Sequence, residues 1–155
     1  MLTTQKLLSN DVEEGAELIF LLLLEKLACF EISSNITRKR KGRSCFLTFS
    51  FSEKVTWDEA QRHCEARRSY LATFDSALQY RDISKELARN PFWFGFRKNA
   101  KGWEWVDLQT PVYSEMPTES NDVLAEFHCA YGTQTGAWNT ALCSERMEYI
   151  CEFRR

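Results

Sequence analysis

Six cysteines are the residues whose type and spacing constrain this chain's chemistry most. Two follow a histidine, in His63-Cys64 and His128-Cys129, a composition that raises zinc binding. The close ligand pairs of zinc modules are missing, so zinc is set aside and disulfides explain the cysteines better. Both histidines are read as surface or packing residues. So many cysteines in a short chain point to an oxidising compartment, although six allow fifteen pairings. Cys129, Cys143 and Cys151 lie close together and need a partner from further away, for which Cys64 is the best-placed candidate. No serine, histidine and acid occur in a recognisable hydrolytic context, and no glycine-rich loop could cradle a phosphate. An enzyme is not expected.

Those cysteines need a framework. The chain has 155 residues, 44% of them hydrophobic and 14% aromatic, enough for one packed domain with an extension. A formal net charge of −2 offers no general attraction to nucleic acid. Leu18 to Leu24 is an apolar run of seven, too short to span a membrane, which takes about 20. Its long acidic start is unlike a signal peptide. Three readings stay open: a helix capped by Asn10 or Asp11 that packs on the domain or a partner, an imperfect export signal, or a stretch outside the native mature N-terminus. Asn35-Ile36-Thr37 is a glycosylation acceptor if the chain is secreted. The basic run from Arg38 to Arg43 reads as a solvated, protease-sensitive linker, which divides the chain into an extension over 1–43 and a domain over 44–155.

Within the domain, Cys45, Leu47, Phe49 and Phe51 alternate as a first strand. Thr56-Trp57-Asp58-Glu59 is a capping box opening a helix with Trp57, Ala60 and Cys64 on one face, and Ser76 to Gln79 repeats it before Tyr80, Ile83 and Leu87. Asn90-Pro91 ends that second helix. The apolar run Phe92-Trp93-Phe94-Gly95-Phe96 fits a strand buried on both faces. Trp103-Glu104-Trp105 alternates, and Met147, Tyr149, Cys151 and Phe153 form a last alternating run. Trp93, Trp103, Trp105 and Trp138 are expected in the core, with Trp138 adjoining the loop face. Between Leu108 and Phe127 no periodicity holds, and a loop of that length in a small domain is commonly functional. The class is α+β: two helices, small antiparallel sheets and a long irregular loop region.

In order and spacing these motifs resemble a C-type lectin-like domain over Cys45 to Phe153, about 109 residues. Trp93-Phe94-Gly95-Phe96 is similar to the family's Trp-Ile-Gly-Leu strand, and Trp103-Glu104-Trp105 to its Trp-x-Trp. The resemblance implies the pairs Cys64–Cys151 and Cys129–Cys143. A third, Cys29–Cys45, matches the long form of the family, so two to three disulfides are expected. On the chain-entropy model the first two contribute about 4.6 and about 3 kcal/mol.

The resemblance also implies a calcium-and-sugar site. Glu119-Ser120-Asn121 sits where the family has Glu-Pro-Asn, and Trp138-Asn139-Thr140 where it has Trp-Asn-Asp. Glu119, Asn121 and Asn139 would then be metal ligands, and these three with Thr140 would contact carbohydrate. Phe127 fills a later Glu position, with Glu126 one residue away, and Thr140 fills the Asp position. Calcium takes six to eight oxygens and its affinity follows carboxylate count, so one matched carboxylate where three belong implies a weak or empty site. Glu126 or Asp122 could swing in to compensate. A cis Ser120 would cost about 2.5–4 kcal/mol, so a trans bond and a reshaped loop are expected. An auxiliary calcium site near Lys98 and Gly102 has lost its acidic positions. The expected function is an extracellular ligand-binding module: a glycan-binding lectin domain with a weakened or lost calcium site. The alternative is a calcium-independent module that binds a protein through the 108–127 loop and the 129–143 ring. Its anchors would be Tyr113, Met116, Phe127 and Tyr131.

Overall fold

The computed structural model describes residues 36–49, 53–108, 113–115 and 128–154. Residues 34–155 form one compact unit. Among the described residues two short helices each begin on a side-chain cap. Helix α1 (Trp57–Glu65) starts at Thr56, whose hydroxyl accepts the Glu59 N–H at 3.3 Å while the Glu59 carboxylate accepts the Thr56 N–H at 2.9 Å. Helix α2 (Ala77–Leu87) starts at Ser76, which caps the Gln79 N–H. Here the reciprocal bond differs from the expected box, because the Gln79 amide oxygen reaches back one residue further, to the Asp75 N–H at 2.7 Å. Trp57, Ala60 and Cys64 of α1 are buried, as are Tyr80, Ile83, Ser84 and Leu87 of α2.

Among the described residues nine strands build two sheets. The first has the order β1 (Ile36–Lys41), β2 (Ser44–Phe49), β9 (Cys151–Arg154), β3 (Tyr70–Leu71). The second has the order β5 (Gly102–Trp105), β4 (Phe92–Asn99), β6 (His128–Gly132), β7 (Trp138–Leu142), with β8 (Glu148–Tyr149) running parallel to β4. From Phe92 to Phe96 strand β4 is buried throughout. Its phenylalanines Phe92, Phe94 and Phe96 meet Phe74, Tyr80, Trp105 and Trp138 in one core, against which the half-buried Trp103 packs.

Two expectations change on contact with the fold. The basic run read as a linker is the end of strand β1 and the turn after it, with β1 paired antiparallel with β2 from Ile36↔Phe49 to Lys41↔Ser44. Lys39 pairs with Glu86 at 2.6 Å and Lys41 with Asp82, so the helix α2 charges make this strand part of the fold. The alternating run from Met147 to Phe153 is two strands in different sheets. At Ile150 the chain crosses between them, its N–H bonded to the Trp93 carbonyl and its carbonyl to the Ala72 N–H. Phe51 lies outside the described residues.

Cys64–Cys151 ties α1 to β9 across a sequence separation of 87, and Cys129–Cys143 closes the β6–β7 hairpin across 14. These are the two bonds the motif order implied. Cys45 is also disulfide-bonded; its expected partner, Cys29, lies outside the described residues. Beside Cys151, the Glu152 carboxylate is fully buried. It accepts from Ser44, from the N–H and hydroxyl of Thr73, and from Arg154. Burial pushes its carboxyl above the usual range, and those donors oppose the push.

Candidate functional site

The β6–β7 hairpin carries the described part of the site. Its register sets Tyr131 opposite Asn139 and Gly132 opposite Trp138. Trp138 is buried at the centre of the aromatic core, with ring centres 4.8 Å from Phe94, 5.6 Å from Trp105 and 5.6 Å from Tyr80. Its indole N–H has no hydrogen-bond partner among the described residues. Trp138 is thus a core residue that fixes the strand on which Asn139 and Thr140 follow.

Helix α2 reaches the same hairpin through Tyr80. Its hydroxyl donates to the Ala137 carbonyl at 3.0 Å and accepts the Thr133 N–H at 3.3 Å, so one phenol holds both ends of the 133–137 turn. Burial pushes that phenol up to about 12. Gly132 allows the approach, because a Cβ there would stand 2.5 Å from Tyr80 Oη and 2.6 Å from Phe92 Cζ. The stripe Tyr80, Ile83, Leu87 announced a buried helix face; it gave no sign that Tyr80 positions the hairpin.

Asp107 and Tyr113, on either side of residues 109–112, are each held by the fold. Asp107 receives Arg154 Nη1 at 3.1 Å, and the Trp105 indole N–H donates to the Tyr113 carbonyl at 3.2 Å. The Tyr113 ring meets Trp138 edge-on at 5.4 Å. Burial, and then the Glu115 carboxylate, push the Tyr113 hydroxyl above its ordinary value. Tyr113, which the sequence offered as an anchor for a protein ligand, is half-buried and packs against Trp138.

Of the predicted ligands, Asn139 is half-buried beside Tyr131, and Thr140 is exposed. Glu119 and Asn121 lie outside the described residues, as do Met116, Asp122, Glu126 and Phe127. His63 and His128 lie on different elements, α1 and β6, and His63 Nδ1 lies 3.3 Å from the Tyr149 hydroxyl. Among the described residues, no three His, Cys, Asp or Glu side chains are grouped to hold a metal ion. The donors beside Trp138 are one amide oxygen and one hydroxyl. A hard cation that draws its affinity from carboxylates does not fit that described set. Next to the Cys129–Cys143 bond runs an open groove lined by Arg97, Lys98, Asn99, Leu142 and Ser144, in which Leu142 is 53% exposed. Sequence reasoning passed over Leu142. Its place next to Cys143 on an edge strand was the available signal.

A family model described as "Lectin C-type domain" matches residues 53–153, well over half of the chain. The chain belongs to the C-type lectin family. Among curated C-type lectins, "C-type lectin domain family 4 member G" of Mus musculus is 30% identical over 119 residues, covering 72% of this chain and 40% of that protein. L-selectin of Rattus norvegicus is 25% identical over 122 residues, covering 71% of this chain and 32% of the relative. The chain thus spans less than half the length of these relatives. Two solved structures share the fold. The mouse scavenger receptor C-type lectin carbohydrate-recognition domain has a TM-score of 0.64 at 26% identity, covering 76% of this chain and 94% of that one. A calcium-independent type II antifreeze protein has a TM-score of 0.63 at 28% identity, covering 80% and 95%. A carbohydrate-recognition domain and a calcium-independent protein are therefore both similar in fold to the architecture seen here. Domains of this family are generally binding modules, and no helix among the described residues is long and apolar enough to cross a membrane.

Proposed function

We propose that this chain is an extracellular binding module that engages a protein ligand without a resident calcium ion. The observation that carries the reading is the donor set after Trp138: Asn139 half-buried against Tyr131, and an exposed Thr140 hydroxyl where the family's motif has a carboxylate. Loss of that charge removes the attraction that holds calcium in extracellular modules, where Kd is roughly 10⁻⁴–10⁻³ M even with a full ligand set. What remains is a rigid hairpin closed by Cys129–Cys143, with the half-buried Tyr131, the exposed Leu142 and the Arg97–Lys98 groove. Aromatic, aliphatic and arginine side chains of that kind are what protein interfaces use as anchors. The 108–127 loop, with Met116 and Phe127, would complete the surface.

The second reading is carbohydrate binding through Glu119, Asn121, Asn139 and Thr140 with a weak calcium site at the first three. It is favoured by the retention of Asn139 directly after a buried Trp138. Elution from immobilised mannose and galactose separates the two. Retention in calcium that EDTA reverses would establish the carbohydrate reading, and passage through both columns with and without calcium supports the protein reading.

We also place the domain's beginning near Ser34, since β1 belongs to the first sheet. Cys29 is the partner we assign to Cys45. Peptide mapping of the unreduced protein tests it, and a disulfide joining Cys45 to any cysteine other than Cys29 would overturn the pairing.

A further inference from the structure

The run Arg38-Lys39-Arg40-Lys41-Gly42-Arg43 has no role in the loop site described above. It places five cations and no anion in six residues. In the fold it is the edge strand of the first sheet and the tight turn that follows it. Gly42 has φ of 60° and Arg43 is not left-handed, the pattern of a two-residue hairpin turn that needs glycine first. The turn therefore holds a fixed shape and presents its cations in a fixed order.

Ion pairing divides those cations into two sets. Lys39 and Lys41 face helix α2, where Glu86 and Asp82 pair with them. Arg40 and Arg43 are exposed, and neither has an ion-pair partner among the described residues. Residues 1–33 hold two of the chain's 20 basic side chains and six of its 22 acidic ones, which leaves residues 34–155 with a net charge of about +2. The basic strand is thus a local concentration of positive charge on a nearly balanced surface. Charge concentrated on an exposed ribbon is the footprint of a polyanion site.

We propose that the β1–β2 hairpin binds a sulfated polysaccharide through Arg40 and Arg43, with Lys39 and Lys41 as partly neutralised reserves. A polysaccharide is favoured over nucleic acid for two reasons. Disulfide-bonded cysteines place the chain in an oxidising compartment. The run from Ile36 to Arg43 contains no aromatic residue on which bases could stack.

The test is binding of the full chain to a heparin-derived octasaccharide, followed by fluorescence over a range of salt concentrations. Each ionic contact to a polyanion adds roughly 0.7–0.9 to the slope of log K against log salt. Arg40→Ala with Arg43→Ala should weaken binding at least ~10-fold at physiological salt and flatten the slope by about 1.5. Asp82→Asn, which releases Lys41, should tighten it. Arg62→Ala with Lys101→Ala removes the same charge away from this hairpin and should change little. Near-UV circular dichroism checks that each variant is folded. Equal losses in the two double variants would mean diffuse attraction and would overturn the site. So would tighter binding to oligo-dT than to the octasaccharide, or unchanged binding by fully desulfated heparin.

Discussion

Replacing Tyr80 with phenylalanine tests how the binding hairpin is held. The substitution keeps the ring that meets Phe74, Phe92 and Trp138 and removes one oxygen. That oxygen donates to the Ala137 carbonyl at 3.0 Å and accepts from the Thr133 N–H at 3.3 Å. A net hydrogen bond is worth about 0.5–1.5 kcal/mol, and the longer of these two sits at the weak end. Ala137 is exposed, so water can serve its carbonyl after the change, whereas Thr133 is half-buried and less easily served. The sum is a loss of about 1.5 kcal/mol, out of the roughly 5–15 kcal/mol that a domain has. At ~2.1 cal/mol/K per residue, a unit of about 120 residues has an unfolding entropy near 0.25 kcal/mol/K, so Tm should fall by ~6 °C. Urea unfolding should give the same loss with an unchanged m-value. Amide exchange should accelerate at Thr133 and its neighbours in the turn. Tyr131→Phe is the control, since that hydroxyl makes no hydrogen bond among the described residues. A Tyr80→Phe protein within 1 °C of both the parent and the control would refute Tyr80 as the clamp of the turn.

Other perturbations follow from the same geometry. Gly132→Ala drives a Cβ to 2.5 Å from Tyr80 Oη and should cost about 1–3 kcal/mol by overpacking, read as a lower urea midpoint. Replacing Cys129 and Cys143 together by alanine opens a loop of about 15 residues and should remove ~3 kcal/mol, with the 129–143 segment becoming the first site of proteolysis. Stability should fall as pH rises above 10. The phenol of Tyr80 is held up to about 12 by burial, those of Tyr113 and Tyr149 are raised as well, and the unfolded chain ionises near 10 and so binds fewer protons. At the acid end the sign is opposite. Asp82 is lowered by Lys41 and Glu59 by the Thr56 N–H, so both favour the folded state above the ordinary carboxylate range and lose that effect as pH falls through it. Chemical denaturation across pH measures both limbs.

What could be read from the sequence was what local chemistry determines. The Thr56 and Ser76 caps act within three residues, and the aromatic run from Phe92 to Phe96 can satisfy only a buried strand. The pairs Cys64–Cys151 and Cys129–Cys143 were implied by the family resemblance and are present. What sequence missed depends on distant partners. Arg38 to Arg43 has the composition of a solvated linker, and its pairing with β2 and with Asp82 and Glu86, some forty residues on, is not written in that composition. Alternation from Met147 to Phe153 is real, yet nothing in it reveals that Ile150 passes from one sheet to the other. Tyr80 looked like one more buried aromatic because its hydroxyl partners lie more than fifty residues away. Of the expected ligands, Asn139 and Thr140 stand on a strand whose register is fixed, while Glu119 and Asn121 lie outside the described residues.

Independence from calcium is the central claim, and thermal unfolding in calcium addresses it without knowledge of the ligand. An intact site with Kd near 1 mM would gain about 1.4 kcal/mol at roughly 10 mM calcium, or ~6 °C in Tm. We expect Tm in calcium to equal that in magnesium at the same ionic strength, with EDTA causing no change. A calcium-specific rise of several degrees that Asn139→Ala abolishes would contradict the account.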